Sequence, residues 1–86
     1  MKIEKIFVEL LVQEKILCKH GITRDELENA LLEGKPKFFK IRANLYMAVA
    51  HYSHYITIVF EYDKNNAVIK TAYKSSDWQI RKYSKK

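Results

Sequence analysis

One cysteine, one proline, two glycines and one tryptophan are spread through 86 residues, and each scarcity removes a class of protein. A lone Cys18 cannot form a disulfide within the chain and supplies no thiolate pair for a structural zinc site. The other nitrogen ligands, His20, His51 and His54, show no tight spacing such as HExxH, so neither a metal nor a cofactor is expected. A single free thiol fits a reducing cytosol, and a cytoplasmic location is the expectation. No apolar run approaches the roughly 18 residues needed to cross a bilayer, and no small-residue cleavage site follows an apolar stretch near the start. Membrane spanning and secretion are therefore not expected. Neither an internal repeat nor a low-complexity linker interrupts the chain. Its length allows one domain, 1–86, since independent units rarely fall below about 50 residues. With 48% hydrophobic and 30% charged residues, the chain lies far from the composition of disorder.

Acidic residues are scarce in one part of the chain only. Residues 1–34 hold five basic and seven acidic side chains, whereas residues 35–86 hold eleven basic ones against Glu61, Asp63 and Asp77. Ten of the eleven aromatics share that basic stretch. Cations that neutralise phosphates, together with rings that stack on unpaired bases, make the composition of an RNA-binding surface. Surplus lysines also serve solubility, and strand aromatics also serve packing.

The spacing of Ile3, Ile6, Phe7, Leu10, Leu17 and Cys18 predicts an amphipathic helix over residues 3–19, stopped by Gly21. Thr23-Arg24-Asp25-Glu26 is a capping box that opens a second helix. Leu27, Ala30 and Leu31 form its buried stripe, and Gly34 and Pro36 end it. From there the period changes from 3.6 to 2. Four antiparallel strands are predicted at Lys37–Arg42, Leu45–Tyr52, Tyr55–Tyr62 and Ala67–Lys74. Their turns fall at Ala43-Asn44, Ser53-His54 and Asp63 to Asn66. Ser76 to Gln79 repeats the capping-box pattern and opens a short helix before a basic tail, Lys85-Lys86. The expected class is α+β, in the order ααββββα. It divides into a helical segment (1–34), an antiparallel meander (35–74), and a C-terminal helix with tail (75–86).

Alternation along the strands sorts two faces. Phe39, Ile41, Leu45, Met47, Val49, Ile56, Ile58, Phe60 and Ile69 are expected to form the apolar surface under the helices. The alternate set, which includes Lys40, Arg42, Tyr46, Ala48, Ala50, Tyr55, Lys70, Ala72 and Lys74, is expected to form a shallow basic trough. Floored by alanines, it would suit an extended single strand better than a duplex.

Three segments carry a family resemblance. Lys19-His20-Gly21-Ile22-Thr23, leading into an acidic helix, resembles the KHGI/V-then-S/T opening of the BrnT family of ribonuclease toxins. Tyr46 to His51, followed by Tyr55-Ile56-Thr57-Ile58-Val59-Phe60, is similar to that family's paired central strands, where a Gly-Arg-Thr region precedes an L-x-V-V-F run. Ile69 to Lys74, followed by Ser76, Arg81 and Tyr83, resembles its I-I-S-A-R-K-x-T … R-R-x-Y ending. The resemblance implies a RelE-like fold and a cytosolic type II toxin–antitoxin pair. It also implies metal-free endoribonuclease (hydrolase) activity that inhibits translation and is silenced by a cognate antitoxin. The chain departs from the family pattern at three points. The S-A-R arginine is Tyr73, the Gly-Arg-Thr arginine falls at His51, and the N-terminal W-D element is missing.

Metal-free RNA cleavage needs a base for the 2′-OH proton, cations around the phosphate and an acid for the 5′ oxygen. Histidine is the side chain suited to that proton traffic near neutral pH. His51 is preferred, since it ends a strand at the family's basic position. The expected catalytic set is His51, Tyr73, Lys74 and Arg81. The expected RNA-binding set is His20, Lys40, Arg42, Tyr46, Tyr55 and Lys70, with Lys40, Arg42, Lys74 and Arg81 as phosphate clamps. His20 has a competing role in capping helix 1, and His54 reads as turn surface. Tyr83 is assigned to packing, and Trp78 and Cys18 to the core. Three function classes follow: the ribonuclease toxin, a non-catalytic RNA- or ribosome-binding module, and a protein-interaction module. The expected partners are single-stranded RNA, on or off the ribosome, and an antitoxin, in a homodimer or a toxin–antitoxin hetero-oligomer.

Overall fold

A computed structural model describes residues 2–52 and 54–84; Ser53 of the expected Ser53-His54 turn and the basic tail Lys85-Lys86 lie outside them. The chain runs β1 (Lys5–Phe7), α1 (Leu10–His20), α2 (Arg24–Glu33), β2 (Lys37–Arg42), β3 (Leu45–His51), β4 (Tyr55–Asp63), β5 (Asn66–Lys74) and α3 (Asp77–Ser84). The α+β class and the meander stand as expected. The sheet, however, has five strands in the order β1-β5-β4-β3-β2, and β1 is parallel to β5.

That added strand corrects the reading of residues 3–19 as one helix. Ile6 and Val8 alternate with Phe7 at period 2, and the first two pack against the core. Pairing with Asn66, Ala67 and Val68 then draws Lys5–Phe7 into the sheet. The helix begins only at Leu10, after an extended Glu9 that gives no side-chain cap. The expected buried stripe fails with it. Leu10 and Leu17 are 74% and 49% exposed and Cys18 is exposed, while Ile16 is the residue of α1 that is buried.

The capping signals hold. Gly21 adopts φ 66° and its N–H donates to the Leu17 carbonyl, a left-handed stop that glycine takes without strain. Thr23 and Glu26 form the full reciprocal box. Leu27, Ala30 and Leu31 are buried on the face of α2 that meets the sheet.

One face of the sheet carries the main core. Ala48, Ile58 and Ala72 lie side by side across β3, β4 and β5, with Ala50 beside Ile56 in the next row. These five, with Phe60 and Ile69, pack against Ile16, Ile22, Leu27 and Leu31. Each large aliphatic or aromatic side chain so buried contributes about 1.5–3 kcal/mol.

Ala48, Ala50 and Ala72 are therefore core residues, and the expected alanine-floored trough does not exist. Met47 and Val49 lie beside Val59 and Thr57, so they point to the opposite face. The residues of β3 from Tyr46 to Ala50 are apolar at both parities, which leaves alternation without a phase. On β5 an irregularity intervenes. Val59 pairs with Thr71 but Phe60 with Ile69, so Lys70 is an extra residue and both Ile69 and Ala72 reach the core.

Gly34 ends α2 at φ −82°, with the left-handed step taken by Lys35 at φ 47°. Gly34 is needed for room, not for dihedral freedom. A Cβ there would lie 2.6 Å from the Ala30 carbonyl oxygen and 3.1 Å from that of His51. Gly34→Ala is expected to lower stability by about 1–3 kcal/mol, as overpacking against backbone does. Equilibrium urea unfolding measures it, with an unchanged midpoint as the contrary result.

Candidate active site

The second face of the sheet is covered by α3, and one buried amide holds the helix there. Gln79 is 1% exposed. Its Oε1 accepts from the Thr57 hydroxyl at 3.0 Å, from the Ser76 N–H at 2.9 Å and from the Ser76 hydroxyl at 3.2 Å. Its Nε2 donates to the Tyr73 hydroxyl at 2.9 Å and more weakly to Met47 Sδ at 3.5 Å. Because the Thr57 proton is committed to Gln79, the 2.7 Å contact between Thr57 and Ser75 is a bond donated by Ser75. The Ser-x-x-Gln signal thus opens α3 as expected, with Gln79 reaching the Ser76 N–H. The same amide also fastens the helix to β3, β4 and β5.

With Gln79 facing the sheet, Tyr83 one turn later faces it too. The Tyr83 hydroxyl donates toward the carbonyls of Lys35 at 3.1 Å and Gly34 at 3.3 Å. Its ring meets Tyr55 edge-on at 5.8 Å, and the Lys37 ammonium lies 5.6 Å from its centroid. Tyr55 in turn contacts His51, its cross-strand partner, with the ring centres 4.4 Å apart. The His51 N–H donates to the Gly34 carbonyl at 3.2 Å while its ring is exposed. Lys37, Tyr83, Tyr55 and His51 form one contiguous polar and aromatic surface at the C-terminal end of α3. It combines an acid–base group, a cation, phenols and a stacking face.

The expected site residues divide between this cluster and other places. His51 and Tyr55 belong to it. Tyr73 lies on the same face, two strands from His51, with its hydroxyl tied to Gln79 and its ring 6.2 Å from that of His20. Lys74 is opposite Ile56, so it projects to the face under α1 and α2 and does not join His51. Arg81 is two residues from both Gln79 and Tyr83 and hence points away from the sheet, into solvent. Tyr46 stacks on Phe60 and meets Tyr62 edge-on, both at 6.1 Å, in the packed face. Lys40, across from Tyr46, is exposed. Arg42 and Lys70 line a shallow depression of about 480 Å³ at the other end of the sheet, where Lys70 pairs with Glu61 at 3.2 Å.

Other assignments also change. Trp78 is 52% exposed and is not a core anchor. His54 folds back so that Nε2 lies 3.8 Å from Glu26 on α2, rather than standing as plain turn surface. No sequence motif marks Lys37, whereas Tyr83 packs as expected, its hydroxyl on the Gly34 and Lys35 carbonyls and its ring against Tyr55. Among the described residues no group of three or more His, Cys, Asp or Glu side chains gathers around a point. Among the described residues no helix is long and apolar enough to cross a membrane.

The chain shares its fold with a solved ribonuclease toxin. That protein is BrnT of Brucella abortus, known at 1.1 Å, which superposes with a TM-score of 0.68 at 19% identity over 85% of this chain and 97% of that one. The BrnT-like fold implied by the three sequence segments is therefore present. No protein-family model and no curated protein matches the chain.

Removing the Gln79 amide leaves fully buried Thr57 without its acceptor and Tyr73 without its donor. Gln79→Leu is expected to cost about 2–4 kcal/mol, and adding Thr57→Val is expected to restore part of the loss. A double-mutant cycle in urea measures the coupling, and strictly additive effects would contradict it.

Proposed function

We propose that this chain is the toxin of a type II toxin–antitoxin pair, a metal-independent endoribonuclease of the cytoplasm that inhibits translation by cutting RNA. The BrnT-like fold supports the class. The observation that carries the chemistry is the exposed His51 imidazole against Tyr55, beside Lys37 and Tyr83.

In this reading His51 takes the proton from a ribose 2′-OH. The 2′ oxygen attacks the adjacent phosphorus and the bond from phosphorus to the 5′ oxygen breaks. Tyr55 returns a proton to that leaving oxygen, and Lys37 faces the charge that builds on the phosphate. The products are a 2′,3′-cyclic phosphate and a 5′-hydroxyl. Tyr83 fixes Tyr55 and offers a ring edge for a flanking base. The cognate antitoxin is an acidic protein that covers this surface.

His51→Ala is expected to reduce cleavage of end-labelled RNA, assayed with EDTA present, by about 100-fold or more while leaving RNA affinity within a fewfold. It is also expected to abolish growth arrest on expression. Equal cleavage by the variant would remove His51 from the site, and intact RNA with binding retained in the wild type would make this a non-catalytic RNA-binding module.

A further inference from the structure

A second basic surface lies on the opposite flank, where α1 crosses the edge of β5. β1 pairs only with Asn66, Ala67 and Val68, so beyond Val68 the outer edge of β5 has no strand partner among the described residues. The cleft left there, about 220 Å³, is lined by Lys15, Lys19 and His20 from α1 and by Lys70 and Thr71 from β5. Among the described residues neither Lys15 nor Lys19 makes an ion pair, and Glu61 engages only Lys70. The helix C-terminus favours cations at Lys19 and His20. It does not account for Lys15, one turn back, where a like charge at i,i+4 is mildly unfavourable.

Two further features give the cleft direction. Lys70, paired with Glu61, lines both this cleft and the depression holding Arg42 and Asn44, so the two hollows adjoin at the sheet end. At its other end the His20 ring approaches Tyr73, whose hydroxyl is anchored by Gln79 on the face that also bears His51. We propose that the cleft is a binding site for the sugar–phosphate backbone of single-stranded RNA, holding a segment flanking the one that is cut. Lys15 and Lys19 act as mobile point charges on successive phosphates, while Lys70 is held by Glu61 at the cleft's far wall; the two α1 lysines stand about 6 Å apart along the helix axis, close to the separation of neighbouring phosphates in an extended strand. The small, lysine-lined cleft favours a polyanionic backbone over a folded protein surface. This rests on the ribonuclease reading for its biological role but not for its test.

The test uses a fluorescent, uncleavable 2′-O-methyl RNA 12-mer, titrated into the wild type, Lys15→Gln/Lys19→Gln and the remote control Lys64→Gln over a range of salt. Both α1 lysines are exposed, and each phosphate contact on a single strand contributes about 0.7 to the log–log salt slope. The double variant is expected to bind more than tenfold more weakly at 0.1 M salt with a slope shallower by about 1.4, and the control to stay within twofold. Cleavable RNA added to the same proteins is expected to show raised KM with kcat retained. Weakened binding with the shallower slope upholds the cleft even if no protein cuts RNA, which separates it from the ribonuclease reading. Unchanged affinity for the RNA 12-mer overturns it.

Discussion

Everything on the α3 face depends on burying one neutral amide. A primary amide moved from water to an apolar interior costs several kcal/mol unless each of its polar atoms is met, and Gln79 meets that condition with partners from β3, β4, β5 and the start of its own helix. The partners are specific in direction. The carbonyl oxygen collects hydroxyl and amide protons, while the nitrogen gives its protons to Tyr73 and Met47. Such a network tolerates one placement of α3, because a shift of a residue would leave several buried groups unsatisfied. Tyr83, one turn further, is set by that placement.

The other end of the site is set by absence of bulk. Gly34 lets the end of α2 approach the end of β3 closely enough for its carbonyl to receive the His51 N–H, and Tyr83 donates toward the same carbonyl. A helix end, a strand end and the C-terminal helix thus converge on a single peptide group. His51 is held by its backbone while its ring is exposed beside Tyr55, which leaves the imidazole free to meet a substrate in the role proposed for it.

How much of this was legible from sequence differs by element. Local signals with a defined geometry were legible: the Thr23–Glu26 box, the Gly21 stop, the bounds of β2 and the start of α3. Readings that required a phase or a distant partner were not. Residues 46–50 are apolar or aromatic at both parities, so β3 had no readable inside, and the extra residue at Lys70 reversed the parity of Ala72. Lys5–Phe7 is extended only because β5 lies alongside it, information absent from the segment itself. The same limit governed the site. His51 and Tyr55 were identifiable from strand ends and family-like positions. Lys74 and Arg81 were separated from them by sheet face and helix face, and Lys37 entered only through tertiary contact with Tyr83.

The proposed ribonuclease reading joins fold to chemistry. Attack by a neighbouring 2′-OH needs no bound water as nucleophile, only proton transfer and charge neutralisation, which an imidazole, a phenol and an ammonium supply. The direct measurement is mass spectrometry of the ends produced when purified protein is incubated with RNA in EDTA. Fragments ending in 2′,3′-cyclic phosphate, matched by 5′-hydroxyl ends and abolished by a 2′-deoxy substitution at the cut site, are predicted. Fragments bearing 3′-hydroxyl and 5′-phosphate ends, or cutting that persists at the 2′-deoxy position, would contradict that mechanism.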